Sequence, residues 1–167
     1  IIFADAPLEE CLDVTLRSSF ANQGQVCLAG SRIYVERPLY ATFVEKLVER
    51  AKGLKIGDPM DPGTTMGALV SHGHRERVMA FVDAARAEGA TITYGGERVD
   101  PASLPERVKG GAFMQPTIIT DVQEHYSCQA QEIFGPVVTI TPFDREDEVI
   151  ARANATEYGL SATVWTS

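Results

Sequence analysis

Residues 22–53, NQGQVCLAGSRIYVERPLYATFVEKLVERAKG, decide how the rest of the chain is read. Ser31 to Glu36 (SRIYVE) alternates β-branched and aromatic residues with polar ones, the pattern of a strand. Pro38 suits the first turn of a helix, and Val44, Leu47, Val48 and Ala51 follow at the 3.6-residue period until Gly53. A strand running directly into an amphipathic helix is the unit from which layered α/β domains are built. Just before it lies Cys27, in a loop flanked by Gly24 and Gly30.

The same alternation extends in both directions. Upstream, Leu8, Leu12, Leu16 and Phe20 recur every four residues, one stripe of a helix introduced by Asp5-Ala6-Pro7 and ended at Gly24. Downstream, LKIGDPMDPGTTMG (54–67) is too rich in Pro and Gly for anything but turns. A long helix is expected from Ser71 to Gly89, with Val78, Phe81, Val82 and Ala85 inward and His74, Arg75, Glu76 and Arg77 outward. Thr91–Tyr94 reads as a strand closed by Gly95-Gly96. Residues 97–112 have no apolar period and are expected to form a surface excursion.

Met114–Thr120, Val137–Phe143 and Leu160–Trp165 are strand candidates, and REDEVIARANAT (145–156) a helix capped by Asp144. Strands separated by helices predict an α/β domain with a mostly parallel sheet.

Composition excludes several function classes. Fifteen Lys plus Arg stand against 23 Asp plus Glu, a net charge of -8 scattered along the chain, which disfavours nucleic acid and anionic membranes as partners. No apolar run reaches the ~20 residues of a membrane span, and the opening IIFADAPLEE lacks a signal-peptide pattern, so a cytoplasmic protein is expected. Cys11, Cys27 and Cys128 are odd in number and widely spaced, which suggests neither a disulfide framework nor a metal site.

Cys27 alone has flanking glycines. They admit a substrate and neighbouring backbone, and such a loop can aim the Cys27 N–H at an oxygen bound to the sulfur, half of an oxyanion hole. The competing reading is an inert buried thiol. A Cys-His hydrolase is a further alternative, for which the chain offers His72, His74 and His125.

With NQGQVC (22–27) and EIFGPV (132–137) in view, the sequence resembles the aldehyde dehydrogenase family along its whole length. IIFADAPLEECLD (1–13), KIGDPMDP (55–62), EGATITYGG (88–96), FMQPTIITDV (113–122) and RANATEYGLSATVW (152–165) occur in the family's order. FANQGQVCLAGSRIYVERPLY, GALVS and ITPFDREDEVIARAN are most similar to its 2-aminomuconic semialdehyde dehydrogenase group.

The resemblance implies a three-layer catalytic domain. In it Cys27 is the nucleophile, Leu28 faces the substrate channel, and Asn22 supports the loop. Glu132 holds the nicotinamide ribose, Phe134 packs near the nicotinamide, and His74 lies near a ribose. The cofactor implied is NAD, with NADP as the alternative. The substrate implied is a small aldehyde, a semialdehyde such as 2-aminomuconic semialdehyde, with retinal or an aliphatic aldehyde as alternatives. A homodimer or homotetramer is implied for the full-length protein. A non-catalytic relative in a structural role is the reading from a different class.

Gln131 departs from the family, which usually has a carboxylate there. Residues 1–167 are expected to be an incomplete catalytic domain, inactive in isolation. By the resemblance, the cofactor-binding domain, the oxyanion asparagine, the general-base glutamate and the C-terminal oligomerisation strand lie outside it.

Overall fold

The computed structural model describes residues 1–167. Its elements run α1 (Leu8–Phe20), β1 (Arg32–Glu36), α2 (Arg37–Lys52), α3 (His72–Glu88), β2 (Thr91–Tyr94), β3 (Thr117–Thr120), α4 (Ser127–Ala130), β4 (Val137–Phe143) and α5 (Glu146–Asn154). The sheet order is β1-β4-β3-β2. β4 pairs in parallel with β1 and β3, and β2 closes one edge antiparallel to β3. The mostly parallel sheet expected from the sequence is therefore present.

Successive residues of a strand point to opposite faces, and here both faces are covered. Ile118, Val138 and Ile140 join Leu12, Phe20, Phe43 and Leu47 in a core beneath α1 and α2. Ile119 and Val137 point the other way, into a second core with Val78, Val82, Ala85 and Met114 beneath α3. Helices on both faces make the domain three layers thick, as the resemblance implied. α4, which the polar segment HYSCQAQ gave no reason to expect, is tied into this frame. Gln129 donates to Tyr34 Oη at 3.0 Å and accepts from Thr139 Oγ1 at 2.5 Å. The loop at 131–136 thus leaves α4 and enters β4 from fixed ends.

Four expectations need correction. Leu160–Trp165 is not a strand: only Trp165 pairs, with Ile2, and Leu160 and Val164 stay exposed. Alternation alone does not make a strand where no ladder partner lies alongside. β3 begins at Thr117 instead of Met114, because Pro116 has no N–H to donate; Met114 pairs singly with Arg98. Asp144 does not cap α5. Its carboxylate binds Arg37, and its own N–H donates to Glu148 at 3.2 Å.

The fourth is His74, which is buried instead of outward. It lies four residues before Val78, on the same stripe as Val82 and Ala85, so its position on the helix outweighs its polarity.

The excursion at 97–112 is mostly exposed but anchored. Leu104 is buried, Arg107 Nε lies 2.6 Å from the Asp58 carboxylate, and Arg98 binds Glu76 on α3. Hydrogen bonds from Arg98, and then from Arg75, hold the Glu76 carboxyl at about 2, down from the ordinary 4.5. A depressed carboxylate pKa stabilises the fold above the unfolded value, and that contribution disappears as pH falls through the folded one. Between pH 4.5 and 2 the melting temperature should therefore fall more steeply for the unaltered protein than for Glu76→Gln. Parallel melting curves over that window would exclude Glu76 as a contributor.

Candidate active site

The chain leaves α1 through a tight 3₁₀ turn, Ala21–Gly24, in which three successive residues are left-handed: Asn22 (φ 48°), Gln23 (φ 57°) and Gly24 (φ 66°). Gly24 is required there twice over. A left-handed backbone disfavours any side chain, and a Cβ on Gly24 would sit 2.1 Å from the carbonyl oxygen of Gly135. The cysteine loop therefore lies directly on the backbone of the EIFGP loop, more than a hundred residues away in sequence. Gly135 is itself wedged on its other side, where a Cβ would meet Val78 of α3 at 2.7 Å.

The polar residues around Gly24 hold this geometry. Asn22 Nδ2 donates to Gln25 O at 3.0 Å. The Gln23 amide accepts from Gly67 N at 2.7 Å in the orientation that satisfies its neighbours, and Gln25 Oε1 accepts from Val70 N at 3.0 Å. On the far side of the loop, Ser19 Oγ donates to Gly30 O at 2.9 Å. Between these clamps Cys27 and Leu28 stand exposed, and no backbone carbonyl of the chain accepts from the Cys27 N–H. Cys11 and Cys128 are buried. Burial raises both thiols, Cys128 to about 11 with the help of the Glu88 charge.

Across the Gly24–Gly135 contact, Glu132 is exposed, and its N–H donates to Tyr158 Oη at 3.4 Å. The Tyr158 ring lies under Arg32, 5.1 Å from the guanidinium carbon. Phe134 is left-handed, with φ 56°, and its ring is partly exposed. His74 Nε2 lies 2.7 Å from the Phe134 carbonyl oxygen, and its Nδ1 is 3.0 Å from Arg77 Nη2. A cleft of about 550 Å³ opens beside them, its lining including Asn22, Gln23, Gln25, His74, Arg77 and Phe134.

The structure brings Asn22, His74 and Phe134 to one cleft, while Cys27, Leu28 and Glu132 lie outside its lining. The sequence gives no site role to Gln23, Gln25 or Arg77, and Tyr158 with Gly159 reads there as turn and packing. The glutamines flanking Gly24 were the one available signal, since a turn of left-handed residues needs side-chain partners for its backbone. Nowhere do three or more His, Cys, Asp or Glu gather to hold a metal, and no helix is long and apolar enough to cross a membrane.

A family model described as the aldehyde dehydrogenase family matches residues 1–167. The 2-aminomuconic semialdehyde dehydrogenase of Mus musculus is 53% identical over 165 residues, 99% of this chain and 34% of the relative. The 2-hydroxymuconic semialdehyde dehydrogenase of Pseudomonas putida is 45% identical over 166 residues, with the same shares covered. A crystal structure of betaine aldehyde dehydrogenase from Staphylococcus aureus in complex with NAD+ superimposes with a TM-score of 0.93 at 40% identity, over 99% of this chain and 32% of that one. The chain spans about a third of the length of the curated relatives it matches. On the fold, the two joined loops and these relatives together, the chain belongs to the aldehyde dehydrogenase family.

Proposed function

We propose that residues 1–167 form the catalytic-domain portion of an NAD-dependent aldehyde dehydrogenase. The complete gene product oxidises a semialdehyde, such as 2-aminomuconic semialdehyde, to the carboxylic acid. The observation that carries this reading is the Gly24–Gly135 contact, which joins the loop of the exposed Cys27 thiol to the loop of Glu132 and Phe134. The relatives named for semialdehydes support the substrate class.

Cys27 Sγ, as thiolate, adds to the aldehyde carbon, and the carbonyl becomes an alkoxide on a tetrahedral thiohemiacetal. The Cys27 N–H, uncommitted to any backbone carbonyl, is available to that oxygen as one oxyanion donor. The adduct makes oxidation accessible, because its carbon bears both a hydrogen and an electron-rich oxygen that drives the hydride out. A thioester on Sγ results, and water opens it to the acid and the free thiol. Leu28, exposed beside the sulfur, flanks the incoming substrate.

The residues present fit NAD. Glu132 carries an exposed carboxylate suited to ribose hydroxyls, and Phe134 presents its ring at the cleft rim. When bound, NAD supplies the hydride acceptor. This chain's own part is to hold the two halves of the site in register, through Gly24 packed on Gly135 and the Gln23 and Gln25 clamps. The same reading assigns the complete protein to the cytoplasm, as a homodimer or homotetramer.

The test is NADH formation by the complete gene product, followed by absorbance, with 2-aminomuconic semialdehyde, retinal and a simple aliphatic aldehyde side by side. The expected result is fastest turnover of the semialdehyde. Faster turnover of the other two would discard the substrate class and keep the enzyme. No NADH from any aldehyde would overturn the activity.

A further inference from the structure

The environment of His74 differs from that of a ligand-binding histidine. It is 7% exposed, in the first turn of α3, where its N–H donates to Ser71 Oγ at 3.1 Å. Both ring nitrogens already have partners within the chain. Arg77 Nη2, 3.0 Å from Nδ1, has only protons to offer, so Nδ1 must accept. The proton of the neutral ring then sits on Nε2 and donates to the Phe134 carbonyl oxygen 2.7 Å away. The bonds run in one direction, from Arg77 through His74 to the Phe134 backbone.

Phe134 is a residue whose conformation needs such support. Its φ of 56° is left-handed, a region that aromatic residues with a Cβ rarely occupy. The next residue, Gly135, is pinned between Gly24 and Val78, which fixes the C-terminal side of the Phe134 peptide. His74 fixes its carbonyl. Both contacts hold the peptide that follows Phe134, and Phe134 lines the same cleft as His74 and Arg77.

We infer that His74 is a positioning residue: oriented by Arg77, it holds the Phe134 backbone left-handed so that the ring presents itself to the nicotinamide half of NAD, and it does not itself hold a ribose. The inference rests on the reading of Phe134 as the nicotinamide contact given above, and it replaces the ribose role expected for His74 from the sequence.

NAD and ADP-ribose separate the two roles, because ADP-ribose keeps both riboses and lacks the nicotinamide. Titration calorimetry on the complete gene product is expected to show His74→Leu weakening NAD about five- to tenfold, the loss of one hydrogen bond, with ADP-ribose unchanged. His74→Gln places an amide donor toward Phe134 and a carbonyl toward Arg77, and should restore NAD affinity. His74→Glu, isosteric with glutamine but without a donor, should behave as the leucine variant does.

Equal weakening of NAD and ADP-ribose in His74→Leu and His74→Glu would overturn the inference, as would no change in either ligand or no rescue by glutamine. Phe134→Ala separates the nicotinamide role of Phe134 from the positioning role of His74. If it fails to weaken NAD selectively, the reading of Phe134 falls. If it does so while the His74 variants do not, only the positioning role falls.

Discussion

Cys27→Ala is expected to lower kcat for aldehyde oxidation by on the order of 10⁴ or more while leaving NAD affinity unchanged. The size of the effect follows from the role proposed for the sulfur. Without it no covalent adduct forms, and a bare aldehyde has no electron-rich oxygen on the carbon that must lose hydride. The neighbouring thiols offer no substitute, because Cys11 and Cys128 are buried and burial raises both away from the thiolate. Stopped-flow NADH absorbance on the complete gene product measures the effect. Limited iodoacetamide at neutral pH should label Cys27 ahead of Cys11 and Cys128 and remove the same activity. A Cys27→Ala enzyme that keeps a tenth of its kcat would sink the proposal.

Gly24→Ala should be the most damaging change outside the chemistry. The left-handed backbone costs an alanine about 1–2 kcal/mol. The added methyl would also meet the Gly135 carbonyl oxygen at 2.1 Å, a contact between two backbones with no side chain free to swing away. Relief requires the cysteine loop and the EIFGP loop to part, for a total of about 3 kcal/mol or more. That corresponds to a melting temperature lower by roughly 6–12 °C in a domain of this size. Parting the loops also moves Cys27 away from Glu132 and Phe134, so kcat/KM should fall in whatever fraction stays folded. Gly73→Ala is the matched control, since nothing lies within 4 Å of a Cβ there and it sits in a helix. A wild-type melting temperature for Gly24→Ala would mean that the two loops are not rigidly joined.

Much of this architecture is legible in the sequence. β2 at Thr91–Tyr94 and β4 at Val137–Phe143 fall where the residue pattern puts them, α2 and α3 lie within a residue or two of the segments expected, and α1 starts where expected but ends at Phe20, before the Gly24 stop. These elements are specified locally, by an apolar period and by a Gly or Pro at an end, information carried within a dozen residues. The singular character of Cys27 was legible for the same reason, because its flanking glycines are its neighbours in sequence.

Local patterns along the chain thus specify the α/β elements and the glycine-flanked cysteine, and its motifs carry the resemblance to the family. Tertiary structure alone decided the rest. His74 lies on the apolar stripe of α3, but the partner that satisfies its ring once buried, the Phe134 carbonyl sixty residues away, comes only with the fold. Leu160–Val164 alternates like a strand and stays exposed because pairing with the Ile2 edge reaches only Trp165. The necessity of Gly24 comes from Gly135, and the depressed Glu76 carboxyl from Arg98 on a distant excursion. Each depends on a partner that only chain closure delivers, and a hydrogen bond, a steric contact or an ion pair has no local period to announce it.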